Sequence, residues 1–322
     1  MTLNEFLAEW HNDNPRILVH TSGSTGKPKP LMVEKRRMLN SARITCDFLG
    51  LKPGDTALLC MPLDYIAGKM MVVRSLQRDL RLTSVRPSSH PLADDALPHF
   101  TFAAMVPMQV YNTLKVPCER ERLMRIRHLI IGGGAISDEL AQMIKPLPNA
   151  VWSTYGMTET LSHIALRRLN GPDASLWYTP FDGVGISLNA DGCLVIDAPE
   201  VCAEPLVTND IAQLRTDDRT GKTLFRIKGR KDNVVCSGGI KIQIEEVEET
   251  LRPHLSAPFM IVKKQDEMLG EKAILLTEST DLTHIEEICR NTLPKYWVPR
   301  EFLHIDHLPL TETGKPKRSG AF

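Results

Sequence analysis

A rhythm of short apolar runs constrains this chain more than any single motif. Residues 56–61, 80–85, 100–106 and 128–131 are apolar and alternate with longer segments of helical period. Strands separated by helices predict βα units around a largely parallel sheet, so the fold class is α/β. Residues 1–15 predict a short helix from the spacing of Leu3, Phe6, Leu7 and Trp10, a face suited to core packing. Met38, Ala42, Thr45, Phe48 and Leu49 line one face of a second helix over 34–49, which Gly50 closes before a turn at Lys52-Pro-Gly-Asp55. From 176 to 225 the pattern becomes short alternating runs punctuated by Asp182-Gly183, Asp191-Gly192 and Thr220-Gly221, which predicts a β-rich subdomain. Further strands are expected over 259–263 and 273–277. Thr283-His-Ile-Glu286 reads as a capping box opening a helix that stops before Pro294.

Composition removes several function classes. Lys+Arg and Asp+Glu both number 39, so no global basic field favours nucleic acid. The apolar runs are too short to span a bilayer, and residues 1–10 lack the basic start and apolar core of a signal peptide, so membrane insertion is not expected. Seven cysteines without a C-x-x-C pair read as reduced thiols of a cytoplasmic protein rather than as a zinc site.

Chemistry gathers first in His20-Thr-Ser-Gly-Ser-Thr-Gly-Lys-Pro-Lys29, directly after the apolar Ile17-Leu18-Val19. Two glycines, four hydroxyls and two lysines suit a loop that holds polyphosphate. It is not a Walker loop, because Gly23 and Gly26 are too close and Pro28 follows Lys27. Proline there disfavours a helix running on from the lysine. His128-Leu-Ile-Ile-Gly-Gly-Gly-Ala135 is a strand opening into a glycine turn, with Ser137 as N-cap and Asp138 and Glu139 in the first helical turn. Ser153-Thr-Tyr-Gly-Met-Thr-Glu-Thr160 combines an aromatic face, hydroxyls and a hard carboxylate.

These segments, in this order, together with Thr208-Asn-Asp210, Gly229-Arg-Lys-Asp232 and Leu308-Pro-Leu-Thr-Glu-Thr-Gly-Lys315, resemble the motifs of the adenylate-forming superfamily: acyl-CoA synthetases, luciferases and peptide-synthetase adenylation domains. The resemblance runs from His20 nearly to the end. It implies a large N-terminal domain over 1–229 with mostly parallel sheets and a β-rich subdomain, a hinge at 230–232, and a small mobile α+β domain over 233–322. It implies that Thr21, Ser22, Gly23, Ser24, Thr25, Gly26 and Lys27 hold the β- and γ-phosphates of ATP, and that Gly133, Gly134 and Ala135 wall the adenine. Tyr155 and Gly156 would lie against the base, Thr158 at the α-phosphate, and Glu159 on Mg²⁺. Asp210 would accept from the ribose hydroxyls and Arg230 would reach the same sugar. Asn209 stands where the family has glycine, and asparagine tolerates left-handed backbone. Asp232 would be the pivot. Residues 234–248 resemble a loop and helix facing the CoA thiol, with Gly238 and Gly239 allowing close approach, while the charged positions 245, 246, 248 and 249 read as a solvated helix face. Lys315 matches the lysine that enters the site for acyl-adenylate formation.

The implied activity is acid–CoA ligation. A carboxylate displaces pyrophosphate from ATP, then CoA displaces AMP, the partners being a small carboxylic acid and CoA. The segment Pro62-Leu-Asp-Tyr-Ile-Ala-Gly-Lys69 and the continuation Thr158-Glu-Thr-Leu-Ser-His163 look most like o-succinylbenzoate–CoA ligases of menaquinone synthesis. Tyr65, Ile66, Lys69 and His163 are then substrate-pocket candidates. Read locally, Tyr65 and Ile66 equally suit a core, Lys69 a solvated surface, and His163 an ordinary helix-surface or core position. A general acyl- or aryl-CoA ligase and a nucleotide-binding subunit without catalysis stay open as alternatives. The family normally carries a long segment before the phosphate loop, whereas here only residues 1–19 precede it. Either the protein is naturally reduced, or a partner chain or homodimer contact covers the shortened edge.

Overall fold

The computed structural model describes residues 1–20, 30–134, 136–310 and 317–318. Helix α1 (Leu3–His11) opens at Thr2, whose hydroxyl accepts from the Glu5 N–H while Glu5 accepts from the Thr2 N–H, a reciprocal cap. It buries Phe6 and Trp10, stacked at 5.9 Å. Strands β1 (Arg16–His20) and β2 (Pro30–Glu34) pair antiparallel and bury Ile17, Val19 and Val33. The sequence reading did not anticipate β2. Helix α2 (Lys35–Leu49) ends as expected at a left-handed Gly50, φ 63°, whose N–H reaches the Asp47 carbonyl.

The expected βα alternation appears next: β3 (Thr56–Leu59), α3 (Ile66–Arg78), β4 (Arg81–Ser84), β5 (Phe102–Met105), α4 (Pro107–Lys115), α5 (Pro117–Met124), β6 (His128–Ile131), α6 (Asp138–Ile144) and β7 (Ala150–Gly156). With β8 (His163–Arg168) and β9 (Thr179–Pro180) they form a seven-stranded sheet in the order β4-β3-β5-β6-β7-β8-β9. Pairing is parallel from β4 through β7 and antiparallel from β7 through β9. The parallel strands are apolar because helices cover such sheets on both faces. Phe102, Ala103, Leu129 and Val151 are all fully buried.

Four strands follow, β10 (Gly185–Leu188), β11 (Cys193–Asp197), β12 (Leu206–Thr216) and β13 (Thr223–Arg230), hydrogen-bonded in that order. Gly183, Gly192 and Gly221, the three turn glycines expected, all have positive φ. Asn209 lies within β12 and is not among the described residues with left-handed backbone, so its tolerance of that conformation is not called on.

After a one-turn 3₁₀ helix at Lys231–Asn233 come β14 (Val234–Ser237), β15 (Ile240–Gln243), α7 (Ile244–Leu251), β16 (Phe259–Asp266), β17 (Gly270–Thr277), α8 (Leu282–Thr292) and β18 (Glu301–His304). Their sheet runs β15-β14-β17-β16, with β18 parallel to β17. Val235, Ile242, Val247, Leu251, Ile261 and Leu275 form the core beneath α7 and α8. Three expectations need correction here. Residues 234–243 form an antiparallel hairpin turning at Gly238-Gly239, where a loop was expected. The cap of α8 is Asp281, which accepts from the His284 N–H, rather than Thr283. Glu248 is buried against Arg318, so it does not belong to a solvated face.

By packing, the chain divides into one unit of Met1–Ile186, Ile196–Leu206 and Arg215–Phe225 and a second of Ser187–Val195, Val207–Leu214 and Arg226–Phe322. No helix among the described residues is long and apolar enough to cross a membrane. All seven cysteines are free thiols.

Candidate active site

In the first unit the chemistry-bearing residues stand at the carboxyl ends of β6 and β7, where open α/β sheets bind ligands. Gly132, directly after β6, lies so close to β7 that a Cβ there would sit 2.5 Å from Thr154 Oγ1. Gly133 follows at φ 80°, exposed, and Ser137 caps α6 by accepting from the Leu140 N–H. The glycine turn thus leaves bare backbone beside the end of β7.

The stretch after β7 is a tight, internally bonded turn. A Cβ on Gly156 would meet the Ser162 carbonyl oxygen at 2.3 Å and His163 Cα at 2.4 Å, so only glycine fits. Thr160, fully buried, accepts from the Met157 N–H at 2.9 Å, and its hydroxyl faces the carbonyls of Met157 and Ser162 at 3.0 and 2.6 Å. Leu161 takes φ 63°, a conformation costing a non-glycine residue about 1–3 kcal/mol. That strain is held by the surrounding bonds, and within the same turn Thr158 is buried while Glu159 faces solvent. Beneath the turn, Arg74 of α3 is 2% exposed, bonds Ser162 Oγ through Nη2 at 2.5 Å, and has no partner for Nε among the described residues. Burial pushes its pKa down to about 10, with Cys46 opposing.

Tyr155 lies against Tyr178 and Phe225, at centroid distances of 5.7 and 5.0 Å, in a cluster that Ser153 Oγ anchors to the Tyr178 hydroxyl at 3.0 Å. The ring is half-buried, with one side supported.

Of the four substrate-pocket candidates, Lys69 and His163 have side-chain partners among the described residues. Lys69 is 3% exposed, donates to the Leu18 carbonyl at 2.8 Å and lies 5.8 Å from the Phe6 ring centre. The solvated-surface reading of this lysine is therefore corrected. Burial lowers its pKa, against the charges of Glu9 and Asp64. His163 is buried in β8, its Nε2 3.2 Å from Thr45 Oγ1 and its ring against Phe181. The adjoining cavity measures about 10 Å³, room for one water. Burial, with the Arg74 charge, holds its pKa well below the ordinary imidazole value, so the ring is neutral. Tyr65 is 51% exposed at the N-cap of α3 and Ile66 is half-buried.

The second unit brings together Asp210 and Arg230. Arg230 Nη1 lies 3.5 Å from Asp210 Oδ1 and Nη2 2.9 Å from Asp232 Oδ2. Burial opposes the guanidinium charge, but the Asp232 hydrogen bond and both aspartates outweigh it and raise the pKa. Gln243 donates to the Arg230 carbonyl at 3.0 Å, and the neighbouring Gly229 has no room for a Cβ, which would meet Gln243 Nε2 at 2.4 Å. Gly238 and Gly239 both have positive φ and make the β14–β15 turn.

Thr21 through Lys27, Ala135 and Lys315 lie outside the described residues. Sequence reasoning missed Thr160 and Arg74. An arginine inside the apolar run Met70-Met-Val-Val-Arg74 is the signal that could have flagged the latter.

Glu159 tests whether a divalent cation fits. No group of three or more His, Cys, Asp or Glu among the described residues could hold a metal alone. A single exposed carboxylate is what Mg²⁺ needs when phosphates and water supply its other ligands, so Glu159 fits that role.

A family model described as AMP-binding enzyme matches residues 4–203. A 2-succinylbenzoate–CoA ligase of Bacillus mycoides is 25% identical over 95% of this chain and 69% of its own length. Among solved structures, an acyl-CoA synthetase (AMP-forming)/AMP-acid ligase II-like protein from Dyadobacter fermentans is 33% identical, with TM-score 0.68, over 98% of this chain and 91% of that one. An O-succinylbenzoate coenzyme A synthetase from Bacillus subtilis, in complex with ATP and magnesium ion, has TM-score 0.73 at 23% identity over 94% of this chain and 69% of its own. With a glycine turn after β6, a bonded turn after β7 and a family match across well over half its residues, this chain belongs to the AMP-binding enzyme family.

Proposed function

We propose that the protein joins o-succinylbenzoate to CoA. As an AMP-binding enzyme it is an ATP-dependent, AMP-forming acid–thiol ligase. The observation that carries the reading is the turn 156–162, which holds Thr158 inward and Glu159 outward at the end of a parallel strand, beside bare glycine backbone. The choice of acid rests on the named ligase of Bacillus mycoides, matched over 95% of this chain.

In this account Gly133 and Gly134 let adenine lie flat on backbone, Tyr155 offers a face held by Tyr178 and Phe225, and Asp210 accepts from the ribose with Arg230 keeping its carboxylate oriented. Glu159 would hold Mg²⁺, which would neutralise phosphate charge. The carboxylate of the acid bonds to the α-phosphorus as the bond to pyrophosphate breaks, and the CoA sulfur then takes the acyl carbon as AMP leaves. Thr158 donates to the α-phosphate, Thr21 through Lys27 hold the departing phosphates and Lys315 bridges carboxylate and α-phosphate. Asp232 is assigned the pivot and Gly238 and Gly239 the thiol side. Positioning and charge stabilisation carry the rate, since phosphoryl chemistry asks little covalent work of a protein.

Pyrophosphate release from ATP with a panel of acids tests this. Release with o-succinylbenzoate above all others is expected. Equal release with benzoate or fatty acids would replace the substrate assignment by a general acid ligase, and no release with any acid would make the chain a nucleotide-binding subunit.

A further inference from the structure

We infer that Arg318 is a positioning residue for acyl-adenylate formation, clamped by Glu248 so that the segment carrying Lys315 is anchored at its base; this rests on the ligase reading above. The clamp is built entirely within the second unit. Arg318 Nη1 and Nη2 meet Glu248 Oε1 and Oε2 at 2.7 and 2.9 Å, a two-pronged pair, and Nη1 also donates to the Ile261 carbonyl at 2.6 Å. Ile261 returns its N–H to Glu248 Oε1 at 2.7 Å. The side chains are only 17% and 8% exposed. A surface pair near a terminus would contribute little, but a fork of this geometry, desolvated and tied to the β16 backbone, fixes direction as well as distance.

The preceding chain is pinned at both ends. The Leu308 N–H donates to Glu278 Oε1 at 2.9 Å, and the Lys317 N–H donates to the Pro309 carbonyl at 2.8 Å. The backbone at Pro309 and at Lys317 is thus held side by side, and Arg318 fastens it to α7 and β16. Lys315, three positions earlier, has its Cα within about 11 Å of the Arg318 Cα by chain length alone. An amine that must reach one phosphate gains from such confinement, because a loose tail dilutes it and a displacement of about 1 Å costs about 100-fold in rate. The arginine acts through the lysine and touches no reacting atom.

Two variants separate positioning from folding. Arg318→Met leaves Glu248 charged and buried, which is destabilising. The double variant Glu248→Gln with Arg318→Met removes both charges while keeping an acceptor for the Ile261 N–H. Each is assayed for ATP–pyrophosphate exchange, for thioester formation from synthetic acyl-adenylate and CoA, and for thermal midpoint, beside Lys315→Ala. For the double variant the expected result is a wild-type midpoint, exchange down about 100-fold, and unchanged thioester formation, matching Lys315→Ala. Arg318→Lys, a cation without the fork, should recover only part of the exchange. Exchange at the wild-type rate in the double variant, or equal loss of both half-reactions, overturns the clamp while Lys315→Ala keeps the ligase reading separately testable. Absence of exchange in the wild-type protein overturns both.

Discussion

His128, at the start of β6, has neither ring nitrogen hydrogen-bonded among the described residues. Burial foremost, with the charges of Arg127 and Arg168, pushes its pKa down to about 4 from 6.5. As pH falls below 6.5 the unfolded chain takes up this proton first, so stability drops between 6.5 and about 4; above that window the group contributes no slope. His163 acts with the same sign. His128→Leu should therefore flatten part of the acid-side loss in urea midpoints measured across this range, and an unchanged slope would count against it. Glu159, whose exposed side chain makes no hydrogen bond among the described residues, gives the complementary case. Glu159→Gln should lower pyrophosphate release about 100-fold with no change in thermal midpoint, and a wild-type rate at saturating Mg²⁺ would remove it from the site. Residue identity was legible where type and role coincide, as at Gly50 and Ser137, whose local geometry needs no distant partner. Lys69 and Glu248 misled because burial depends on partners remote in sequence, the Leu18 carbonyl and Arg318, which no local pattern contains.

Among the elements, the turn after β7 joins fold and chemistry most closely. Thr160→Val keeps the volume but removes the hydroxyl bonded within the turn, leaving the Met157 N–H without that acceptor. Adenylate formation should fall by at least the factor expected for Glu159→Gln, with a stability loss of about 1–3 kcal/mol. Circular dichroism melts and pyrophosphate exchange check both, and an active, equally stable variant would show the turn to be held otherwise. Alternation of apolar runs made β3 through β6 readable, since their helices and strands differ in period. β2 escaped notice, being only five residues that begin at a proline and end against α2. The α8 cap was displaced because Thr283 and Asp281 are both good caps, and only the His284 N–H direction decides between them.

For the whole molecule, ordered motifs legible in sequence fall into two packing units: the β6 and β7 turns in the first, Asp210, Arg230 and Asp232 in the second. Class α/β followed from periodicity, whereas the assignment of residues 187–195 and 207–214 to the second unit follows from packing alone. The account's central claim is that these pieces serve a single ligation. Purified protein incubated with ATP, Mg²⁺, CoA and, separately, o-succinylbenzoate, benzoate and fatty acids, with thioester followed by mass, tests it most directly. The account predicts o-succinylbenzoyl-CoA, dependent on ATP and accompanied by AMP, in clear preference to the other thioesters; absence of any CoA thioester from all three would contradict it.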